Sequence, residues 1–184
     1  MGLTEPEPIT ISLRQWRDSD LEPYAAMNRD PEVMRYFPSP WSREQSEVSL
    51  HRQRALIDER GWGLWALEVA GEFAGFVGLS IPSFQASFMP CVEIGWRLRR
   101  EYWGRGIAYR GALQALEYGF TILMLPEIAS FTAAVNDRSR RLMERLGLVH
   151  DATSDFHHPS IPDGHELRPH VLYRKNSTVA NVLQ

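Results

Sequence analysis

Cysteine is nearly absent from this chain, since Cys91 is the single cysteine among 184 residues. One thiol cannot form an intrachain disulfide. Cys91 lies in an apolar-leaning run that is typical of a buried strand and lacks the basic partner that a catalytic cysteine needs. No apolar run approaches the roughly 20 residues that a membrane span needs, and residues 1–8 lack the basic-then-apolar pattern of a secretion signal. These absences favour a cytoplasmic protein without a membrane partner.

A large net charge is absent as well. The 20 Lys and Arg residues nearly balance the 23 Asp and Glu residues, which leaves a formal net charge of −3 and argues against a nucleic acid as partner. The composition is 43% hydrophobic and 23% charged, so the chain has enough apolar material for a packed core. A length of 184 residues is that of about one domain. We expect a single domain over residues 1–184, with its core at about 9–174.

Four histidines in the second half of the chain are the candidates for a metal site: His157, His158, His165 and His170. Their spacing fits no zinc-binding pattern, and no cysteine joins them. We therefore expect that the protein uses no metal.

Hydrophobic periodicity predicts an α+β domain around a mixed sheet, with the element order β-α-α-β-β-β-α-β-α-β-β. Ser42 and Gln45 have the spacing of a capping box, and Gly61 is placed to end that helix. Residues 156–166 are expected to form a loop. Strands are predicted at 9–13, 65–69, 73–79, 92–98, 128–135, from 148 and at 169–174, and helices at about 19–28, 42–60, from 107 and at 137–146.

The segment 98–108 has the pattern of a phosphate-binding loop. It leaves a strand, turns at Gly104 and Gly106, and enters a helix whose first N–H groups have no partner in the helix. A Walker loop is excluded because Gly-Lys-Ser/Thr is missing, and the dinucleotide fingerprint is disfavoured because Tyr109 stands where Gly or Ala belongs. A simple glycine turn that brings the helix close to the sheet remains the other interpretation.

Four runs together resemble the GNAT superfamily of N-acetyltransferases: Glu93–Trp96, Tyr102–Ala108, Asn136–Ser139 and Glu144–Leu148. Within it the chain is similar to the branch that includes ribosomal-protein alanine N-acetyltransferases, over most of its length. The resemblance implies the GNAT fold, with a mixed central sheet of about seven strands, about four flanking helices and a splay between the two central strands. It also implies acetyl-CoA as co-substrate.

In that family the loop signature is Gln/Arg-x-x-Gly-x-Gly/Ala, and it binds the pyrophosphate of coenzyme A. Gly106 and Ala108 match its last two positions, whereas its first position falls on Trp103, which removes one polar side chain. The resemblance further implies that the pantetheine lies along 94–98 and that Asn136 holds its amide. The residues expected to bind the co-substrate are Trp96, Arg97, Leu98, Trp103, Gly104, Arg105, Gly106, Ile107, Ala108 and Asn136.

Acyl transfer to an amine needs a base, and Glu93 is the expected one. It stands two residues before Gly95, on the same face of a regular strand, and a carboxylate there can take the amine proton directly or through water. A strand-end glutamate that either faces solvent or pairs with an arginine is the alternative, and Glu68 is a weaker rival for the base. Gly95 is either the site of a bulge that frees a backbone N–H for the carbonyl or a glycine that relieves a crowded strand.

The thiolate of coenzyme A leaves without the tyrosine that many family members carry on the corresponding helix, because 137–146 contains none. Ser139 is the one neutral hydroxyl on that helix and is expected to support the leaving thiolate; first-turn helix capping is the alternative. Asn136 can also be a helix N-cap. Trp41 is expected either beside the acceptor pocket or as a packing residue of its loop.

These features predict an N-acetyltransferase that moves acetyl from acetyl-CoA to a primary amine by direct attack in a ternary complex. The acceptor is either a protein N-terminus or a small-molecule amine, and the oligomeric state is left open. An acyl-CoA-binding regulatory module without catalytic activity is the alternative function, because the usual tyrosine is missing.

Overall fold

A computed structural model describes residues 10–178 of the chain. Its strands are β1 (Ile11–Arg14), β2 (Leu64–Val69), β3 (Glu72–Ser80), β4 (Glu93–Leu98), β5 (Glu127–Ala133), β6 (Val149–His150), β7 (Phe156–His157) and β8 (Pro169–Asn176). Its helices are α1 (Leu21–Arg29), α2 (Arg43–Arg60), α3 (Ile107–Thr121) and α4 (Asp137–Arg145), with 3-10 turns at Asp18–Asp20, Arg100–Tyr102 and Ala152–Ser154. Ile9, the predicted start of the first strand, lies outside the described residues.

The predicted order of elements is confirmed, with one addition. Phe156 and His157 form the short strand β7 inside the segment expected to be a loop, where Phe156 pairs with His170 of β8. A two-residue strand is too short to show a periodic pattern, so the sequence gives no sign of it. The described part of the chain therefore has eight strands in its sheet, against the expected seven or so.

The sheet has the order β1-β2-β3-β4-β5-β8-β6, with β7 also paired to β8. Neighbours are antiparallel except for β4 and β5, which run parallel and pair at a single position, Glu93 with Ala129. Beyond that position the two central strands separate. The splay that the family resemblance implies is therefore present, and it opens toward the carboxyl end of β4.

Helix α3 packs very close to the sheet, as its stripe of small residues predicts. A Cβ at Gly111 would come within 3.2 Å of Val77, and one at Gly119 within 2.6 Å of Ile128. Because no larger side chain fits at these positions, the start of α3 is held at a set height over β3 and β4. This close packing positions the glycine loop that precedes the helix.

The opposite face of the sheet is covered by α1 and α2. Trp16, Tyr24, Phe73 and Phe76 form an aromatic cluster there, with Trp16 and Tyr24 ring centroids 4.9 Å apart. Helix α2 begins at the predicted capping box, in which the Gln45 backbone N–H donates to Ser42 Oγ at 3.2 Å. No helix among residues 10–178 is both long enough and apolar enough to cross a bilayer.

Candidate active site

A cavity of about 1070 Å³ follows the gap between β4 and β5 and continues over the start of α3. It is lined by residues of β4, β5, α3, α4 and the segment between α1 and α2. A pocket of this size can enclose a ligand larger than a typical drug. Glu93, Trp96, Gly106 and Ser139 all lie on its wall, so the tertiary structure brings the main predicted site residues together.

The gap begins at a buried hydrogen bond, in which Ser130 Oγ of β5 donates to the Ile94 carbonyl of β4 at 2.9 Å. The Val92 carbonyl likewise faces β5, where it accepts from the Ala129 N–H at 2.9 Å. Backbone polar groups of alternate strand residues point to the same side. The N–H of Trp96 therefore faces the open gap, where a ligand carbonyl can accept it. No motif in the sequence marks Ser130 as a residue of the site.

The bulge considered at Gly95 is not present. Pairing of β3 with β4 runs without a break from Ser80 with Glu93 to Gly75 with Leu98, and Gly95 pairs with Gly78. The register shift in this part of the sheet lies in β2, between Leu67 and Glu68. The backbone N–H that faces the gap is freed because β5 moves away from β4.

The loop before α3 offers its backbone to a ligand. Gly104 and Gly106 both have φ of +71°, in the left-handed region that favours glycine, and a Cβ at either would meet nothing within 4 Å. Gly106 is the N-cap of α3. The first N–H groups of the helix point past these glycines into the cavity without intrahelical acceptors, and they favour an anion.

Trp103 closes this loop instead of contributing a polar contact. Its indole N–H donates to the Leu98 carbonyl at 2.9 Å, and the Arg138 guanidinium lies 4.6 Å from its ring centroid. Arg145 stacks similarly on Tyr109 at 4.2 Å. Helix α4 thus brings arginines to the cavity wall beside the glycine loop, and this positive end of the cavity suits a polyphosphate.

Glu93 faces the cavity from the opposite end of β4. Burial raises the pKa of its carboxyl from the ordinary 4.5 to about 8, and a hydrogen bond from Ser80 Oγ at 3.4 Å opposes the shift weakly. No sequence motif predicts this contact of Ser80 with Glu93. The alternative of an arginine-paired glutamate is not what the structure shows, because no ion pair of Glu93 forms within residues 10–178. A carboxyl with a pKa near neutrality is suited to exchange a proton.

Glu68, the rival base, lies outside the cavity. It pairs with Arg14 at 2.6 Å and with Arg17 at 2.9 Å, and these arginines lower the pKa of its carboxyl. A carboxylate held in ion pairs away from the gap is a poor acceptor for an amine proton. Its role is to tie β1 to β2.

Asn136 caps α4, because its Oδ1 accepts from the Ser139 N–H at 3.3 Å. Its Nδ2 donates to Thr132 Oγ1 at 2.9 Å and to Ser139 Oγ at 3.1 Å, so both amide hydrogens are used. The second lone pair of Asn136 Oδ1 remains available to accept a hydrogen bond from a pantetheine amide N–H. Ser139 Oγ accepts from Asn136, which leaves its own O–H to donate toward the cavity.

Arg97 was expected to bind the coenzyme, but its side chain lies on the other face of the sheet from the glycine loop and α3. Its side chain is 8% exposed and lies on the α1 and α2 face, where Nη1 donates to Asn28 Oδ1 at 2.7 Å. The rings of Phe37 and Trp41 cover the guanidinium at 4.0 and 4.9 Å. Trp41 therefore both lines the cavity and packs its loop, so the two roles considered for it coincide.

Cys91 does not line the cavity, whereas His158 and His170 do. Cys91 lies just ahead of β4 instead of within a strand, and burial raises the pKa of its thiol to about 11. The rings of His158 and His170 lie 5.0 Å apart at an angle of 41° within an aromatic cluster, and burial lowers the pKa of His170 to about 4. Within residues 10–178, no group of three or more His, Cys, Asp or Glu residues is arranged to hold a metal.

The fold and site define a class of protein with a large cavity between two parallel strands and, beside it, a helix start that favours an anion. A family model described as the acetyltransferase (GNAT) domain matches residues 10–149. The chain therefore belongs to the GNAT acetyltransferase family.

Two curated relatives are similar over about three quarters of the chain. FsC-acetyl coenzyme A-N(2)-transacetylase of Aspergillus fumigatus is 31% identical over 147 residues, which are 76% of this chain and 63% of that enzyme. The chain thus spans less than two thirds of that relative. Spermidine N(1)-acetyltransferase of Escherichia coli K12 is 28% identical over 152 residues, covering 77% of this chain and 74% of that enzyme.

Solved structures share the fold. A spermidine N-acetyltransferase from Vibrio cholerae in complex with CoA and spermine superposes with a TM-score of 0.70 at 22% identity, covering 91% of this chain and 95% of that one. A ribosomal L7/L12 α-N-protein acetyltransferase, RimL, in complex with coenzyme A has a TM-score of 0.70 at 17% identity, with coverage of 94% and 97%. At these identities the likeness establishes the fold alone.

Proposed function

We propose that this protein is an N-acetyltransferase that transfers acetyl from acetyl-CoA to a primary amine of a small molecule by direct attack. One observation carries the proposal: a buried carboxyl, Glu93, lies on the same cavity wall as an open glycine turn at a helix start. The first feature can accept a proton, and the second can hold a phosphate. Curated relatives with acetyltransferase names support the reaction class.

The residues around the cavity fit coenzyme A as co-substrate. The N–H groups that follow Gly104 and Gly106 would hold the pyrophosphate, and the arginines of α4 on the cavity wall would add positive charge. The pantetheine would pair with the gap-facing edge of β4 through the Leu98 N–H, which leaves the Trp96 N–H for the thioester carbonyl. Acetyl-CoA supplies an activated thioester carbonyl when it is bound.

Glu93 would act on the acceptor. An alkyl amine with a pKa near 10.4 arrives protonated at neutral pH, and it must lose a proton before it attacks. The carboxylate of Glu93 takes that proton directly or through water. The Trp96 N–H donates to the carbonyl oxygen as negative charge develops there, because the backbone points it into the gap beforehand.

Ser139 would act on the leaving group. The new amide C–N bond forms as the C–S bond breaks, so the sulfur departs with the electron pair and needs a hydrogen-bond donor or a proton. The Ser139 O–H is available for this, because its oxygen accepts from Asn136 and its hydrogen is not committed to that bond. A thiol pKa near 8.5 means that modest help is sufficient.

A small-molecule amine is favoured as acceptor over a protein N-terminus. One relative is named FsC-acetyl coenzyme A-N(2)-transacetylase and another spermidine N(1)-acetyltransferase, and the second name specifies a small-molecule amine. The acceptor side of the cavity would be walled by the aromatic rings of Phe37, Trp41 and Phe76, which can pack against a small molecule.

The test is thiol release from acetyl-CoA in the presence of an amine panel that includes amino acids, polyamines and short peptides. We expect release that depends on a small amine, with acetylated product detected by mass spectrometry. Calorimetry with acetyl-CoA alone separates binding from turnover. Binding without turnover on any amine would contradict the proposal and favour the regulatory module, and turnover confined to peptides would contradict the proposed acceptor.

A further inference from the structure

Arg97 is a buried arginine without the acidic partners that two partly buried arginines of this protein have. Arg14, with a side chain 13% exposed, pairs with Asp20 and Glu68, and Arg174, at 24%, pairs with Glu127 and Asp151. Arg97 is 8% exposed, and no Asp or Glu among residues 10–178 forms an ion pair with it. Burial lowers its pKa to about 10, which leaves the guanidinium charged at neutral pH.

Only one of the guanidinium nitrogens of Arg97 has a hydrogen-bond acceptor within residues 10–178. Nη1 donates to the Asn28 side chain at 2.7 Å, while the buried Nε has no acceptor in the described part of the chain. The faces of the group are covered by Phe37, Trp41 and Phe76, at 4.0 to 5.4 Å from their ring centroids. Nη2 has no acceptor within residues 10–178 and is not enclosed, so it remains open to a ligand. A carboxylate that binds Nη2 would lie next to the unpartnered Nε, and the two N–H groups match its two oxygens.

The position of Arg97 places these N–H groups at the acceptor part of the cavity. Glu93, Gly95 and Arg97 alternate onto one face of β4, and all three line the cavity. Gly95 leaves a trough between the other two, since a Cβ there would lie 3.8 Å from Glu93 Oε1 and 3.9 Å from Leu64. An acceptor in this trough would have its amine directed toward Glu93 and its other end directed toward Arg97.

We infer that the acceptor carries a carboxylate as well as its amine, and that Arg97 binds this carboxylate as the specificity-determining residue. The inference rests on the proposed function and names its substrate class. It separates this protein from a polyamine acetyltransferase, because a second ammonium group in the trough would meet the unpaired guanidinium. A bound carboxylate supplies the negative charge that no acidic side chain among residues 10–178 provides for the Arg97 guanidinium.

The first experiment compares matched acceptors in the thiol-release assay with saturating acetyl-CoA. Each α-amino acid and each linear ω-amino acid of three to six carbons is tested beside its own amide and its decarboxylated amine, with spermidine as the dicationic case. We expect at least one free acid to exceed its amide and its amine by about 100-fold in kcat/KM, in line with rejection of a ligand that leaves a buried polar group unpaired. Equal rates within every pair, or preference for spermidine, would overturn the inference.

Arg97→Gln is expected to remove the preference for the acid while turnover of the matched amide changes by less than about threefold. Arg97→Lys keeps the charge but loses the two adjacent N–H groups, so it should retain part of the preference. Arg35→Gln is the matched control, because Arg35 also lines the cavity but is exposed at its mouth. Equal losses on acid and amide in Arg97→Gln would show a purely structural role for Arg97 and contradict the inference.

A binding measurement distinguishes failure of this inference from failure of the proposed reaction. The carboxylic acid without an amine, butyrate or hexanoate, is titrated by calorimetry into protein saturated with coenzyme A. We expect binding to the unmodified protein and at least tenfold weaker binding to Arg97→Gln. Carboxylate binding without any turnover would overturn the proposed function but support the subsite, and turnover of uncharged amines without carboxylate binding would do the reverse.

Discussion

The hydroxyl of Ser130 on β5 donates to the carbonyl of Ile94 on β4 at 2.9 Å, immediately after the single position at which these parallel strands pair. Both residues are buried, with Ser130 2% and Ile94 0% exposed. At this point a side-chain hydrogen bond replaces the backbone hydrogen bonds between the two strands, because the strands separate beyond it. The bond sets where the gap begins, and therefore which backbone groups of β4 remain open to a ligand.

Ser130→Ala should destabilise the protein by about 1–3 kcal/mol, because the buried Ile94 carbonyl loses its donor. Denaturant unfolding measures this loss. Ser130→Cys keeps a similar volume with a weaker donor and should fall between the two proteins. An unchanged free energy of unfolding in Ser130→Ala would show that the bond does not hold the strands together.

Gly106→Ala should weaken acetyl-CoA binding at least tenfold, because a Cβ projects into the open space where a phosphate would approach the loop. Gly61→Ala is the matched control, since Gly61 has φ of +79° and also has nothing within 4 Å of its Cβ, but caps α2 outside the cavity. Both variants should lose about 1–2 kcal/mol of stability from the left-handed backbone. Calorimetry showing equal affinity in the two variants would exclude the loop as a phosphate site.

Glu93→Gln should lower kcat/KM by about 10²–10⁴-fold near pH 8.5, as expected for loss of a general base. With a pKa of about 8, Glu93 gains its basic form as pH rises, so kcat/KM of the unmodified protein should rise toward a plateau above that pH. The variant should lack this rise, and its deficit should shrink again at high pH, where the amine is already neutral. Initial rates from pH 6 to 10 test both features.

Glu68→Gln is the control for the base assignment. It breaks the ion pairs with Arg14 and Arg17, so its melting temperature should fall, but the pH profile of kcat/KM should be unchanged. Loss of the rise near pH 8 in Glu68→Gln, with the rise retained in Glu93→Gln, would reverse the two assignments.

The raised pKa of Glu93 also predicts a pH dependence of stability. In the unfolded chain the carboxyl releases its proton near its ordinary pKa of 4.5, whereas the folded protein keeps it until about pH 8. The folded state binds the extra proton in this window, so this group makes stability fall as pH rises from about 4.5 to 8. Urea unfolding at several pH values should show a smaller fall in Glu93→Gln. Parallel curves for the two proteins would contradict the buried carboxyl.

Ser139→Ala should lower kcat while leaving acetyl-CoA affinity and the helix cap intact. The cap uses the Ser139 backbone N–H, which donates to Asn136 Oδ1 and survives the substitution. Asn136→Ala removes the capping oxygen and should cost about 0.5–2 kcal/mol of stability. Single-turnover rates and melting temperatures of both variants separate the roles, and full turnover in Ser139→Ala would exclude the hydroxyl from catalysis.

Much of the fold follows from patterns within a few residues of the chain. The capping box at Ser42, the stop at Gly61 and the small-residue stripe of α3 are local features, and each is present as predicted. Strand β7 is the exception, because two residues pair with β8 only after the tertiary fold brings them together. A bulge at Gly95, one of the two interpretations of that glycine, is absent for a related reason. The freed backbone results from the path of β5, which no residue near Gly95 specifies.

The residues of the candidate site also differ in whether local patterns of the sequence predict them. Alternation along a strand and a glycine turn before a helix are enough to point to Glu93 and Gly106, because backbone geometry there depends on near neighbours. The environment of Arg97 depends on Asn28, which is 69 residues away in the sequence. The raised pKa of Glu93 and the lowered pKa of Arg97 both result from burial. Only the packed structure decides burial, since it depends on which distant surfaces exclude water.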